Sequence, residues 1–306
     1  MKQFKYFYLI IFIITNKLFA QPFGNEWINY NKFYYKIKIS SEGIYRIDYN
    51  TLVSAGIPVN IIDPRLFQIF HNGIEQYIYV HGEEDGIFDN DDFIEFYAKG
   101  NDGSFDKKLY KNSEHQANDN YSLFNDTSAY FLTWSSSLNN KRVANYKNTE
   151  YLSYFPESHV YYTNRIDYTS YYYPGPVDAS GLSDFDYTEA EGWFDGTMSI
   201  NPSQPGVPQN YNKQIQTPLP YNAGGPSEIK IMITGQSSAL DYPHHLKINF
   251  LSNNIDTTFI GYKNVFISRN FLSSSLSSNL NINFTLPNDL GAPSDRIALS
   301  YIEVSY

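Results

Sequence analysis

Apolar and polar residues alternate with a period of two along most of this chain, the pattern of strands that bury one face. Phe33, Tyr35, Ile37 and Ile39 alternate with Tyr34, Lys36 and Lys38. Phe67, Ile69 and His71 run into Asn72-Gly73, and Gln76 to Val80 follows. Asn-Gly suits a two-residue turn in which both residues need positive φ, so this segment predicts a β-hairpin. Ile94 and Phe96 alternate with Phe93, Glu95 and Tyr97, and Ala129 to Trp134 predicts a further strand. A short helix is expected from about Asn50 to Ala55, closed by Gly56. The run from Ser135 to Asn140 reads as a linker.

Beyond it, the tyrosine-heavy stretch from Tyr151 to Gly175 gives no clear period, and Glu191-Gly192-Trp193-Phe194 suits a short strand. Six prolines between Asn201 and Pro226 predict a long surface loop, because proline removes ladder donors. Alternation then returns at Ile229 to Ile233, Leu246 to Phe250, Thr257 to Gly261, Val265 to Phe271 and Ile282 to Leu286. The last run changes phase, with Ile297, Leu299 and Tyr301 followed by Ile302, Val304 and Tyr306. That shift predicts either a bulge near Tyr301 or a strand buried on both faces. The expected fold is mostly β: a β-rich N-terminal domain over 21–140, then a jelly-roll-like β-sandwich over 141–306.

The first twenty residues change the compartment. Lys2 and Lys5 precede an apolar run from Tyr6 to Ile14, and Ala20 offers a small residue for cleavage. The run is about half of the roughly 20 residues that span a bilayer, so 1–20 reads as a secretory signal peptide. No later stretch is apolar enough to span a membrane. The mature protein is expected in the periplasm, on the outer-membrane surface or outside the cell. Loss of Lys2, Lys5 and Lys17 takes the formal charge from −10 to −13, which excludes the basic footprint that nucleic acid requires. With 29 Tyr and 22 Phe, the composition itself favours pleated, half-buried surfaces. There is no cysteine, hence no disulfide, thiolate metal site or thiol nucleophile.

The densest chemical feature is Gly82 to Glu95, with seven carboxylates and no base. Asp85, Asp89, Asp91 and Asp92 lie in a loop just before a strand, and a hard cation with oxygen ligands would relieve their repulsion. A structural calcium ion is one reading of this loop, although the spacing is not that of an EF-hand. The other reading is a solvated turn, since Asp and Asn favour turn geometry. None of the six histidines forms an H-E-x-x-H pair, and His244-His245 would point to opposite faces of a strand. Gly235 to Ala239 approaches a nucleophile elbow but lacks its final glycine and a following helix. Tyr161-Tyr162 and Tyr171-Tyr172-Tyr173 are candidates for stacking on sugar rings, against the simpler reading of sheet packing.

Several segments, in order, resemble a known family. They are Ser41-Glu42-Gly43-Ile44-Tyr45-Arg46-Ile47, Ile62 to Arg65, Phe70-His71-Asn72-Gly73, Gly82 to Asp89, and Phe93 to Gly103. Tyr121 to Phe124, Tyr130 to Trp134 and Glu191 to Phe194 complete the set. Together they resemble the region that precedes the peptidase domain in gingipain-like cysteine peptidases, including the type IX secretion sortases. The resemblance is strongest over about 34–134. It implies an exported protein of Bacteroidetes type whose catalytic His and Cys lie beyond Tyr306, where the chain stops inside a strand pattern. No catalytic residue of the family maps onto this sequence. The expected partner is then an adjoining peptidase domain of the same protein, or cell-surface components. The alternative is a stand-alone surface β-sandwich that binds glycan or protein.

Overall fold

Alternation becomes antiparallel pairing between the strands of the computed structural model, which describes residues 24–147, 149–177, 180–237 and 242–306. The expected leader, 1–20, lies outside the described residues, as do Ser238 and Ala239. Two compact units divide the chain, one from residues 1–99 and 127–146, the other from 100–126 and 147–306. The span expected as one front domain is thus interrupted, and 100–126 joins the second unit. Among the described residues no helix is long and apolar enough to cross a membrane.

The first unit contains β1 (Tyr35–Ile39), β2 (Gly43–Asp48), α1 (Tyr49–Ser54), β3 (Phe67–His71), β4 (Ile74–Glu75), β5 (Ile78–Val80), β6 (Phe93–Ala98) and β7 (Ser128–Trp134). One sheet runs β1-β7-β3-β4 and the other β2-β6-β5. The hairpin between β3 and β4 turns on Asn72 and Gly73, both at positive φ (51° and 80°), as its sequence requires. The expected second arm, Gln76 to Val80, is not the strand that pairs with β3: the two residues of β4, just before it, pair there, while β5 within it pairs with β6. Asp48 caps α1 by accepting from the Thr51 N–H at 2.7 Å, and Leu52 enters the core. Inside, Phe67 meets Phe88 edge to face at 5.5 Å among Ile69, Ile78, Ile94 and Leu132.

Ser135 to Asn140 is no free tether. The Ser135 N–H donates to Leu66 O (2.8 Å), Asn140 donates to Arg65 O (2.8 Å), and the run belongs to the first unit. Just after it, the Arg142 guanidinium donates to Glu83 (2.8 Å) and to the carbonyls of Phe67, Pro64, Arg65 and Lys141.

The second unit contains β8 (Thr163–Asp167), β9 (Tyr171–Tyr173), β10 (Gly192–Phe194), β11 (Met198–Ser199), β12 (Gln209–Gln216), β13 (Pro226–Gly235), β14 (His244–Phe250), β15 (Asn253–Phe259), β16 (Asn264–Leu272), β17 (Asn279–Leu286) and β18 (Arg296–Ser305). One sheet runs β11-β18-β13-β16, with β8 also on β18; the second runs β12-β17-β14-β15. Ile229, Ile231 and Ile233 of the first share a core with Leu246, Ile248, Ile282 and Phe284 of the second, a sandwich arrangement. Burial of each such side chain stabilises by about 1.5–3 kcal/mol.

Two details differ from the expectation or resolve it. The proline-rich stretch contains an eight-residue strand, β12, fully paired to β17. Prolines flank it without entering it, and as an edge strand it buries only Ile215 completely. The phase change in β18 has both predicted causes. Met232 pairs with Tyr301 and Ile233 with Leu299, so Ser300 is the extra residue of a bulge. The strand is also covered on both faces: Ile302 and Val304 enter the sandwich core, while Ala298 packs with Ala117 and Phe194. That outer cover explains why 100–126 belongs to this unit. The Ser300 hydroxyl donates to Ala117 O (3.3 Å), and Asn264 donates to His115 O (2.7 Å).

Candidate functional site

The acidic loop of the first unit resolves into local turns. Asp85 accepts from the Ile87 N–H (2.9 Å), Asp89 from the Asp91 N–H (3.1 Å), and Asp92 from the Asp89 N–H (2.9 Å). Asp92 is buried, whereas Asp85, Asp89 and Asp91 are exposed. Glu83 is held by Arg142, and Glu95 takes the Arg46 guanidinium at 2.7 and 2.9 Å. Backbone N–H groups thus engage three of the four candidate aspartates, and arginines hold Glu83 and Glu95. Among the described residues no three His, Asp or Glu side chains converge as a metal site. Gly82 is needed here, since its φ is +77° and a Cβ would stand 1.7 Å from Asp92 Oδ1.

Four histidines, His71, His81, His244 and His245, are engaged with neighbouring side chains. His71 stacks on Tyr130 and His81 on Phe93, with centroids 4.2 and 4.8 Å apart. In β14, alternation sends His244 inward and His245 outward. His244 Nδ1 lies 2.6 Å from Asp295 Oδ1 and its Nε2 lies 3.1 Å from Gly261 O. His245 contacts Asp289 (2.7 Å) and Asp256 (2.8 Å) through its two ring nitrogens. Burial alone would lower the His245 pKa, but these two carboxylates outweigh it and hold the ring above its ordinary value.

Ser237 offers no exposed nucleophile. It is buried, donates to Ser294 O (3.4 Å) and accepts from the Arg296 N–H (3.1 Å). Glu191 is a buried carboxylate that accepts from the Tyr172 hydroxyl (2.9 Å) and the Thr188 N–H (3.1 Å). Burial raises its pKa against those two bonds, and Tyr110 fixes the adjoining backbone by donating to Glu191 O (2.9 Å). This cluster joins Tyr172 of β9 to the start of β10, which marks it as structural.

The second unit carries a groove of about 670 Å³. One wall is 157–162, the other is the loop 218–226, and Tyr306 lies between them. Backbone bonds of 2.8 and 2.9 Å between Tyr162 and Tyr306 tie the first wall to the base. The Tyr306 hydroxyl donates to Pro218 O (2.9 Å) and so fixes the second wall. Of the two tyrosine clusters in the sequence, only Tyr161-Tyr162 opens into this groove; Tyr173, by contrast, stacks on Tyr262. The opposing wall, Pro218 to Tyr221, escaped sequence reasoning because its prolines signalled only a loop.

No protein-family model matches this sequence, and no curated protein matches it. Among solved structures, 89% of the chain is similar to dimeric latent PorU from Porphyromonas gingivalis, at 12% identity and a TM-score of 0.49. The chain spans only 24% of that protein's length. A CBM36-1 domain of a multidomain xylanase from the hindgut metagenome of Trinervitermes trinervoides aligns with 35% of this chain and 83% of its own, at 12% identity and a TM-score of 0.23. TmCBM61, solved with β-1,4-galactotriose, aligns with 37% of this chain and 66% of its own, at 10% identity and a TM-score of 0.22. Likenesses this distant leave function to be argued from the residues of the chain itself.

Proposed function

We propose that this chain is the exported, non-catalytic front region of a gingipain-like cysteine peptidase associated with type IX secretion, folding beside its peptidase domain. One observation carries the reading: the separate segments that resemble the family pair with one another. Ser41 to Ile47 contributes to β2, which pairs with β6 (Phe93–Ala98) in the segment Phe93 to Gly103 and is tied to it by Arg46 and Glu95. Phe70 and His71 of β3 pair with Phe131 and Tyr130 of β7. In the second unit, Trp193 Nε1 donates to Leu123 O (3.1 Å), joining Glu191–Phe194 to Tyr121–Phe124. Within each unit, segments far apart in sequence thus meet. In a chain without cysteine the thiolate chemistry of such a peptidase has to come from elsewhere.

The test has two parts. Sequencing the reading frame past the codon for Tyr306 is expected to reveal a further domain with a His and a Cys; a stop codon there overturns the proposal. The chain alone is expected to leave peptide substrates intact, and clear hydrolysis would count equally against it. A second reading, a surface binding protein, draws its support from the groove of the second unit.

A further inference from the structure

The groove between 157–162 and 218–226 divides its polar groups into two sets. At the base they are occupied in building the walls: the Tyr306 hydroxyl donates to Pro218 O, and the Ser273 hydroxyl donates to Gly225 O. Along the sides they are open. The hydroxyls of Tyr161, Tyr162 and Tyr221 have no hydrogen-bond partner among the described residues. His159 uses Nδ1 on the Ser158 hydroxyl (2.9 Å) and stacks on Tyr221 at 4.5 Å, leaving Nε2 open. The surfaces between these groups are apolar and exposed, including Val160 and Leu219.

This division selects the occupant. A purely apolar segment would bury the open hydroxyls and the imidazole nitrogen unpaired, at a cost of about 1–3 kcal/mol each. An anion finds no Lys or Arg in the lining, and Glu157 would repel it. A ring with an apolar C–H face and a rim of hydroxyls matches both the aromatic faces and the open polar groups. The volume lies within the range of small-ligand sites.

We propose that this groove is a binding site for a neutral oligosaccharide. The site goes beyond the accessory role proposed above, and either can fail without the other, since one concerns the groove and the other the chain's neighbour.

The experiment is calorimetric titration of the full chain with cellohexaose, xylohexaose, mannohexaose and a galacturonic acid hexamer. At least one neutral sugar is expected to bind, and Tyr161→Ala and Tyr221→Ala are each expected to weaken it about tenfold. Tyr30→Ala, an exposed tyrosine of the first unit, should leave binding unchanged. Tyr161 is largely exposed, so its variant should fold, and a matching near-ultraviolet spectrum would establish that. The proposal is overturned by no heat with any neutral sugar, by undiminished binding in both variants, or by tighter binding of the acidic hexamer. Concentration-dependent self-association lost in the same variants, without sugar binding, would also overturn it and make the groove an interface between copies.

Discussion

The two units solve the same problem with different materials. In the first, strands run from two to seven residues and much of the backbone lies in short turns. Aromatic pairs such as Phe67–Phe88 fill its core, and side chains fasten what ladders do not reach: Arg142 alone binds four carbonyls and a carboxylate. In the second, β13 and β18 run to ten residues, and facing rows of Ile, Leu and Phe close a sandwich, to which polar ties such as Arg165 with Asp167 and Glu303 are added. Long ladders satisfy their own polar groups, so stability there resides in burial. Short ladders leave carbonyls over, so stability in the first unit depends on a few polar ties.

That contrast is easiest to break at the two cores. Phe284→Ala removes a fully buried ring from the sandwich and should cost about 3–5 kcal/mol. Hydrogen exchange should then speed up across β12 to β18 and much less across β1 to β7; an even increase would mean that the units unfold as one. In the first unit, Arg142→Ala should cost about 1–3 kcal/mol in a urea melt, because the part-buried carbonyls of Phe67 and Pro64 and the Glu83 carboxylate lose their donor. Arg142→Lys should recover less than half of that loss, since one ammonium cannot span so many acceptors. Full recovery would show that charge alone matters.

The second unit also has a polar cluster whose titration sharpens the comparison. His245 faces Asp256 and Asp289, Lys247 reaches Asp256 at 3.3 Å, and Asp295 accepts from the His245 main-chain N–H. Because the folded His245 pKa is raised, its contribution is complete below the unfolded value of about 6.5 and is lost as pH climbs through the folded value. The thermal midpoint should therefore fall from pH 6 to pH 8.5, and His245→Gln should flatten that slope. A slope unchanged in the variant would assign it to other groups. The smallest effect is expected in the acidic loop. Calcium chelation should leave the midpoint unchanged, whereas a drop of several degrees would reveal a cation among Asp85, Asp89, Asp91 and Asp92.

What the sequence revealed followed locality. Asn72-Gly73, the helix capped by Asp48 and the phase change at Ser300 are local signals, and each appears in the fold. The strand β12 was hidden because the prolines around Gln209–Gln216 outweighed a weak, polar alternation typical of an edge. The allegiance of 100–126 was illegible for another reason: it is fixed by contacts such as Ala117 with Ala298, across some 180 residues of chain. Half of the groove was visible as Tyr161-Tyr162, and half was not, since Tyr221 meets His159 only through the turn that the prolines build.

The position of β18 carries a consequence for the order in which the molecule can form. This strand follows β8, β11 and β13 in sequence, yet it lies between them in the sheet. During synthesis from the N-terminus, the sheets of the first unit have all their strands once Trp134 has emerged. The isoleucine-rich β13 then waits with one edge bare until 296–305 arrive, and a bare apolar edge recruits other chains. A nascent chain stalled before Arg296 would expose a sticky half-sheet although every strand of the first unit had already been made.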